Sequence, residues 1–74
     1  MSKKIKNKEL KLIGLKVRSI REAQGVSRAQ LAFELETTEK QITRIEYGEI
    51  NTGVMSLIKI ARVLDVSPKD FFED

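Results

Sequence analysis

The chain has no cysteine and no histidine. Disulfides and thiolate-held metals are excluded, and so are the commonest zinc ligand and the commonest general base. A nucleophilic enzyme would need serine, threonine or lysine activated by something other than histidine, and no such constellation is present. No apolar run approaches the roughly 18 residues of a membrane span. Lys11 and Lys16 interrupt the apolar stretch that a secretory signal would need after its basic start, so the cytoplasm is the expected location. Proline occurs once, at Pro68, and no segment alternates with period two, which predicts helices and no strand. Seventy-four residues are expected to make one domain with one small core, without a separate ligand-sensing domain. Neither a cofactor nor a small-molecule substrate is expected.

Charge is unevenly spread. Net charge is +3, but residues 1–21 hold eight Lys and Arg against one acid, while the rest of the chain is mildly acidic. A basic arm on an acidic body suits a polyanion approaching from the N-terminal side. Residues 1–8 lack periodic apolar positions and read as a flexible basic arm, with residues 9–74 as the folded domain.

The most informative stretch is Ser27 to Gly48, SRAQLAFELETTEKQITRIEYG. Ser27 and Gln30 form an S-x-x-Q capping box, and Thr38 with Gln41 repeats the pattern. Apolar residues fall between and after the boxes at Leu31, Ala32, Leu35, Ile42 and Ile45. The pattern predicts a helix over 28–35, a tight turn, and a second helix over 39–46. That geometry places one helix in the DNA major groove. Before it, Ile13, Val17 and Ile20 recur at helical spacing, with Leu10 and Leu12 as earlier candidates, until Gly25 stops the helix. After it, residues 49–53 form a loop. Leu57, Ile60, Ala61 and Leu64 then mark a helix over 54–64. Ser67, Pro68 and Asp70 open a last turn that ends in Phe71-Phe72.

From about Ile13 to Phe72 these residues resemble the Cro and phage-repressor class of helix-turn-helix domains, the xenobiotic-response-element class. The pieces that carry the resemblance are Ile13-Gly14, Val17, Ile20-Arg21, Gly25-Val26-Ser27, Leu31-Ala32, Leu35, Ile42, Ile45-Glu46, Gly48, Leu57, Ile60-Ala61, Leu64 and Val66-Ser67. The resemblance implies an all-α, compact five-helix bundle of the lambda-repressor-like kind that binds operator DNA as a homodimer. It also implies an internal ion pair, Arg21 with Glu46. Three departures stand out. Glu36 occupies a turn position where relatives carry glycine, Arg28 replaces a frequent glutamine, and the loop Glu49-Ile50-Asn51-Thr52 is acidic and apolar where relatives are basic.

Within the second helix of the unit, Glu39, Lys40, Gln41, Thr43 and Arg44 are the candidate base readers. A glutamine can bridge adenine N6 and N7, an arginine or lysine can take guanine O6 and N7, and a carboxylate can accept from cytosine N4. Arg28 is placed to meet a phosphate at the start of its helix, and Thr38 combines capping with a candidate phosphate contact. Phe71, Phe72, Val66 and Ile50 are more apolar than a small monomer needs and form the candidate dimer interface. The expected function is a sequence-specific double-stranded DNA-binding regulator, a repressor or controller protein, on a palindromic operator. The alternative is a protein-interaction module such as an antitoxin, which the acidic body and Glu39 favour.

Overall fold

The computed structural model describes residues 7–72 as four α-helices and one 3₁₀ turn. These are α1 (Asn7–Ala23), α2 (Arg28–Glu34), α3 (Glu39–Glu46), α4 (Val54–Leu64) and the turn Pro68–Phe71, with no strand among the described residues. The bundle therefore has four α-helices where five were expected. Its last element is four residues long, too short for an α-helical segment, and closes as a tighter 3₁₀ turn behind Pro68. Residues 1–6 of the expected arm lie outside the described residues. Asn7 and Lys8, also assigned to the arm, instead open α1. Glu9 in the first turn favours that start, because a carboxylate offsets the positive end of the helix dipole.

All four helices end in the same way. Each closes with an i+5 amide bond of the Schellman type around one left-handed residue. The bonds run from Val26 to Arg21, Thr37 to Ala32, Glu49 to Arg44 and Val66 to Ala61. The left-handed residues are Gly25, Glu36, Gly48 and Asp65, at φ of 70°, 58°, 69° and 56°. Two are glycines, for which the conformation is unstrained. Glu36 keeps the family's turn geometry without the family's glycine, at a cost of about 1–2 kcal/mol. Asp65 is also left-handed, at the end of α4, a conformation aspartate visits more readily than most residues, and Gln24 adds a 2.6 Å bond there from its carboxamide to the Leu64 carbonyl.

The core gathers one stripe from every element. Ile13 and Val17 of α1 meet Leu31 and Ala32 of α2, Ile42 and Ile45 of α3, Leu57, Ile60, Ala61 and Leu64 of α4, and Phe71. Helix α1 sits unusually close to the end of α3. A Cβ on Gly14 would lie 2.4 Å from the carbonyl oxygens of both Ile45 and Glu46, and one on Gly48 would lie 2.7 Å from the Lys11 backbone. Only the absence of side chains at these two points lets the helices approach this closely.

Candidate nucleic-acid interface

Helices α2 and α3 form the two-helix unit anticipated from the caps. At α2 the capping box is complete. The Ser27 hydroxyl accepts from the Gln30 amide at 3.0 Å, and the Gln30 side chain accepts from the Ser27 amide at 3.2 Å. At α3 only half of it forms. Thr38 Oγ1 accepts from the Gln41 amide at 3.1 Å, and the Gln41 side chain does not return the bond. The second box expected from the sequence is therefore a simple N-cap, and the Gln41 carboxamide stays uncommitted.

The exposed surface of α3 carries Glu39, Lys40 and Arg44, with Gln41 and Thr43 half-buried beside them. Among the described residues, none of these five side chains is held by an intramolecular hydrogen bond or ion pair. Ile42 and Ile45 face the core, so the polar side chains point away from it. The candidate readers thus lie together on one face, at and after the capped N-terminus.

The end of α3 is organised around Glu46, whose side chain is fully buried. Arg21 grips it with two bonds, Nε to Oε2 at 2.6 Å and Nη2 to Oε1 at 3.1 Å, and gives Nη1 to the Val26 carbonyl at 2.8 Å. A second cation joins the pair: Arg28 Nε donates to Oε1 at 3.0 Å. That bond is the chief reason the Arg28 pKa rises above its ordinary value, against opposing desolvation and with a smaller contribution from Tyr47. Arg28 is therefore not simply a phosphate-directed side chain at a helix start. Its Nε faces inward, and the residue ties α2 to the root of α3.

Two further residues belong to this corner and were not picked out from the sequence. The ring of Tyr47 lies close to two guanidinium groups, with Arg18 at 5.8 Å and Arg28 at 5.7 Å from its centroid. Arg18 also pairs with Glu22 one turn later on α1, at 3.1 Å. Tyr47 reads in the sequence as the residue that ends α3. Nothing in local spacing brings Arg18 and Arg28 to its ring.

The four candidate interface residues separate. Phe71 is 1% exposed and completes the core, so it leaves the interface set. Adjacent positions in a tight helical turn point in different directions, and Phe71 takes the inward one. Phe72 is 57% exposed, and Ile50 and Val66 are half-buried. Leu12 and Leu15 on the outer face of α1 are each more than half exposed. With Ile20, Val66 and Phe72 they line an apolar groove between α1 and the 3₁₀ turn. No helix among the described residues is long and apolar enough to cross a membrane.

Comparison with known proteins agrees with this geometry. The Helix-turn-helix family model matches residues 17–71. An uncharacterized HTH-type transcriptional regulator of Rickettsia conorii is 39% identical over 61 residues, which cover 82% of this chain and 49% of that protein. A second, from Rickettsia prowazekii, has the same identity and 47% of its length covered, so the chain spans about half the length of these curated relatives. The crystal structure of the restriction-modification controller protein C.AhdI from Aeromonas hydrophila superposes with a TM-score of 0.83 at 29% identity, covering 88% of this chain and 98% of that one. The biofilm master regulator SinR, solved in complex with DNA, superposes at 0.75 with 27% identity, covering 82% and 98%.

Proposed function

The chain belongs to the helix-turn-helix family of transcriptional regulators, and on that premise we propose that it binds double-stranded DNA sequence-specifically in the cytoplasm, as a homodimer on an inverted repeat. The observation that carries this reading is the unpaired polar face of α3. Five side chains with base-reading chemistry stand on a capped helix, and none is spent on the fold. Residues near the N-terminus of such a helix reach base edges, while the preceding helix crosses the backbone. Gln41 suits adenine, Lys40 or Arg44 suits guanine, and Glu39 suits cytosine N4. Thr38, at the cap, lies within reach of a phosphate.

A single short helix reads few bases, and two-fold pairing doubles the site. Phe72, with Ile50 and Val66 beside it, supplies apolar surface for such pairing, and Leu12 and Leu15 extend it. The effect proposed is repression, by occlusion of the promoter the dimer occupies.

Selection of bound sequences from a random duplex pool tests the reading. The expected product is an inverted repeat with half-site centres one helical turn apart, ~34–36 Å. The second reading, a module that mainly binds another protein, draws on Glu39 and Glu49 at the surface that would meet phosphates. Selection that enriches no motif, together with tight binding of a co-purifying protein, would favour it.

A further inference from the structure

We infer that Arg18, Tyr47 and Arg28 form a clamp for a phosphate of the DNA backbone, held apart from the base-reading face of α3. The inference rests on the DNA-binding reading above and adds two residues, Arg18 and Tyr47, to the surface that touches DNA.

Three observations carry it. First, both guanidinium groups lie within 6 Å of the centroid of one half-exposed phenol ring, so two cations from different helices are gathered at one rigid group. Second, each arginine holds its carboxylate through Nε: Arg18 to Glu22, and Arg28 to Glu46. The paired Nη nitrogens, whose planar fork matches a phosphate, are not committed to those carboxylates. Third, the position fits. From Glu39 to Tyr47 the helix rises about 12 Å, which is about the width of the major groove. When the N-terminal turn of α3 reaches base edges, its C-terminal end arrives at the backbone that borders the groove.

The roles within the clamp differ. Arg28 is anchored by buried Glu46 and has a fixed direction. Arg18 is held only by an exposed partner, Glu22, on the same helix. Glu22 therefore competes with the phosphate for Arg18. Tyr47 is a positioning residue whose ring gathers the two cations.

The test is the salt dependence of binding to the duplex selected above and to a scrambled duplex. Arg18→Gln is expected to remove one phosphate contact. The log–log slope then falls by about 0.9, and the affinity lost between 50 and 200 mM salt shrinks by about 3.5-fold. The effect should be equal on both duplexes. Tyr47→Leu should lower affinity on both, and Tyr47→Phe should recover most of the loss, because the ring keeps both cations in place and only the hydroxyl's contact with Arg28 is gone. Glu22→Gln should tighten binding roughly twofold by releasing Arg18, and that gain should vanish when combined with Arg18→Gln. Thermal melts should barely move for Arg18→Gln, since its ion pair is exposed. If wild-type protein binds the selected duplex while Arg18→Gln keeps the wild-type slope, the clamp is refuted and the DNA-binding reading stands. If wild-type protein binds no duplex, the DNA-binding reading itself fails.

Discussion

Glu46 is the residue whose loss the fold should tolerate least. Its carboxylate is wholly enclosed and accepts three N–H bonds from two arginines. Glu46→Ala leaves Arg21, whose side chain is 7% exposed, with the Val26 carbonyl and, at 3.8 Å, the half-exposed Glu22 carboxylate as its partners. Stranding a buried charge in this way costs about 3–5 kcal/mol. A domain of this length has about 4–11 kcal/mol to lose. At roughly 4–8 °C per kcal/mol, the melting temperature should drop by about 12–40 °C, easily read by circular dichroism. Glu46→Gln keeps the shape and one acceptor oxygen, and should cost about 1.5–3 kcal/mol, the value of hydrogen bonds to a charged group. Replacing both charges, Arg21→Met with Glu46→Leu, should cost less than Glu46→Ala alone, because no charge is stranded. A Glu46→Ala protein that melts within about 5 °C of wild type, roughly 1 kcal/mol, would refute the reasoning: Arg21 would then have found water or another partner.

Glu36→Gly should stabilise the domain by about 0.5–1 kcal/mol, the left-handed strain relieved less the extra chain entropy of glycine, measured by thermal melting. Gln41→Ala and Arg44→Ala should each change which sequences are preferred and cost about 1–3 kcal/mol on the best site, whereas Arg28→Ala should weaken all sequences alike and lower the salt slope by about 1. Reversal of those two patterns in a binding selection would mean that the roles of α2 and α3 are exchanged. Phe72→Lys should give a folded monomer that binds an inverted repeat much more weakly, because two half-sites no longer act as one ligand. Sedimentation with circular dichroism checks it, and an unchanged mass would place the dimer contact elsewhere.

Much of the architecture was legible because it is local. Ser27, Thr38 and Gly25 mark helix ends through hydrogen bonds spanning a few residues, so composition and spacing locate α2, α3 and the end of α1 closely. Helix α4 is framed by Gly53 and a clean apolar stripe. The misses are non-local or conformational. Arg28 lies 18 residues from Glu46, and no pattern in the chain announces that one carboxylate serves two arginines. The Tyr47 stack joins α1, α2 and the end of α3, so it exists only after packing. Asp65 adopts a left-handed conformation, which aspartate tolerates better than most residues but which a single aspartate does not by itself signal. Leu12 looked like a core candidate by type, but the stripe through Leu10, Ile13 and Val17 turns it outward. At Thr38 and Gln41 the motif was right in its first half only, since a box needs a side-chain rotamer as well as a spacing.

The glycines at 14 and 48 bear on how α3 is held. Near its C-terminal end the helix is pressed backbone to backbone against α1, and Ile45 and Glu46 are buried there. Towards its N-terminal end Ile42 is the one buried side chain. The helix is thus clamped backbone to backbone at its root and held by side-chain packing alone towards the tip that would meet the bases. A tilt of 5° at the root moves a tip about 12 Å away by about 1 Å, enough to make or break a hydrogen bond. A methyl group added at Gly14 would act on that root and reach the bases as leverage, with no contact to DNA of its own.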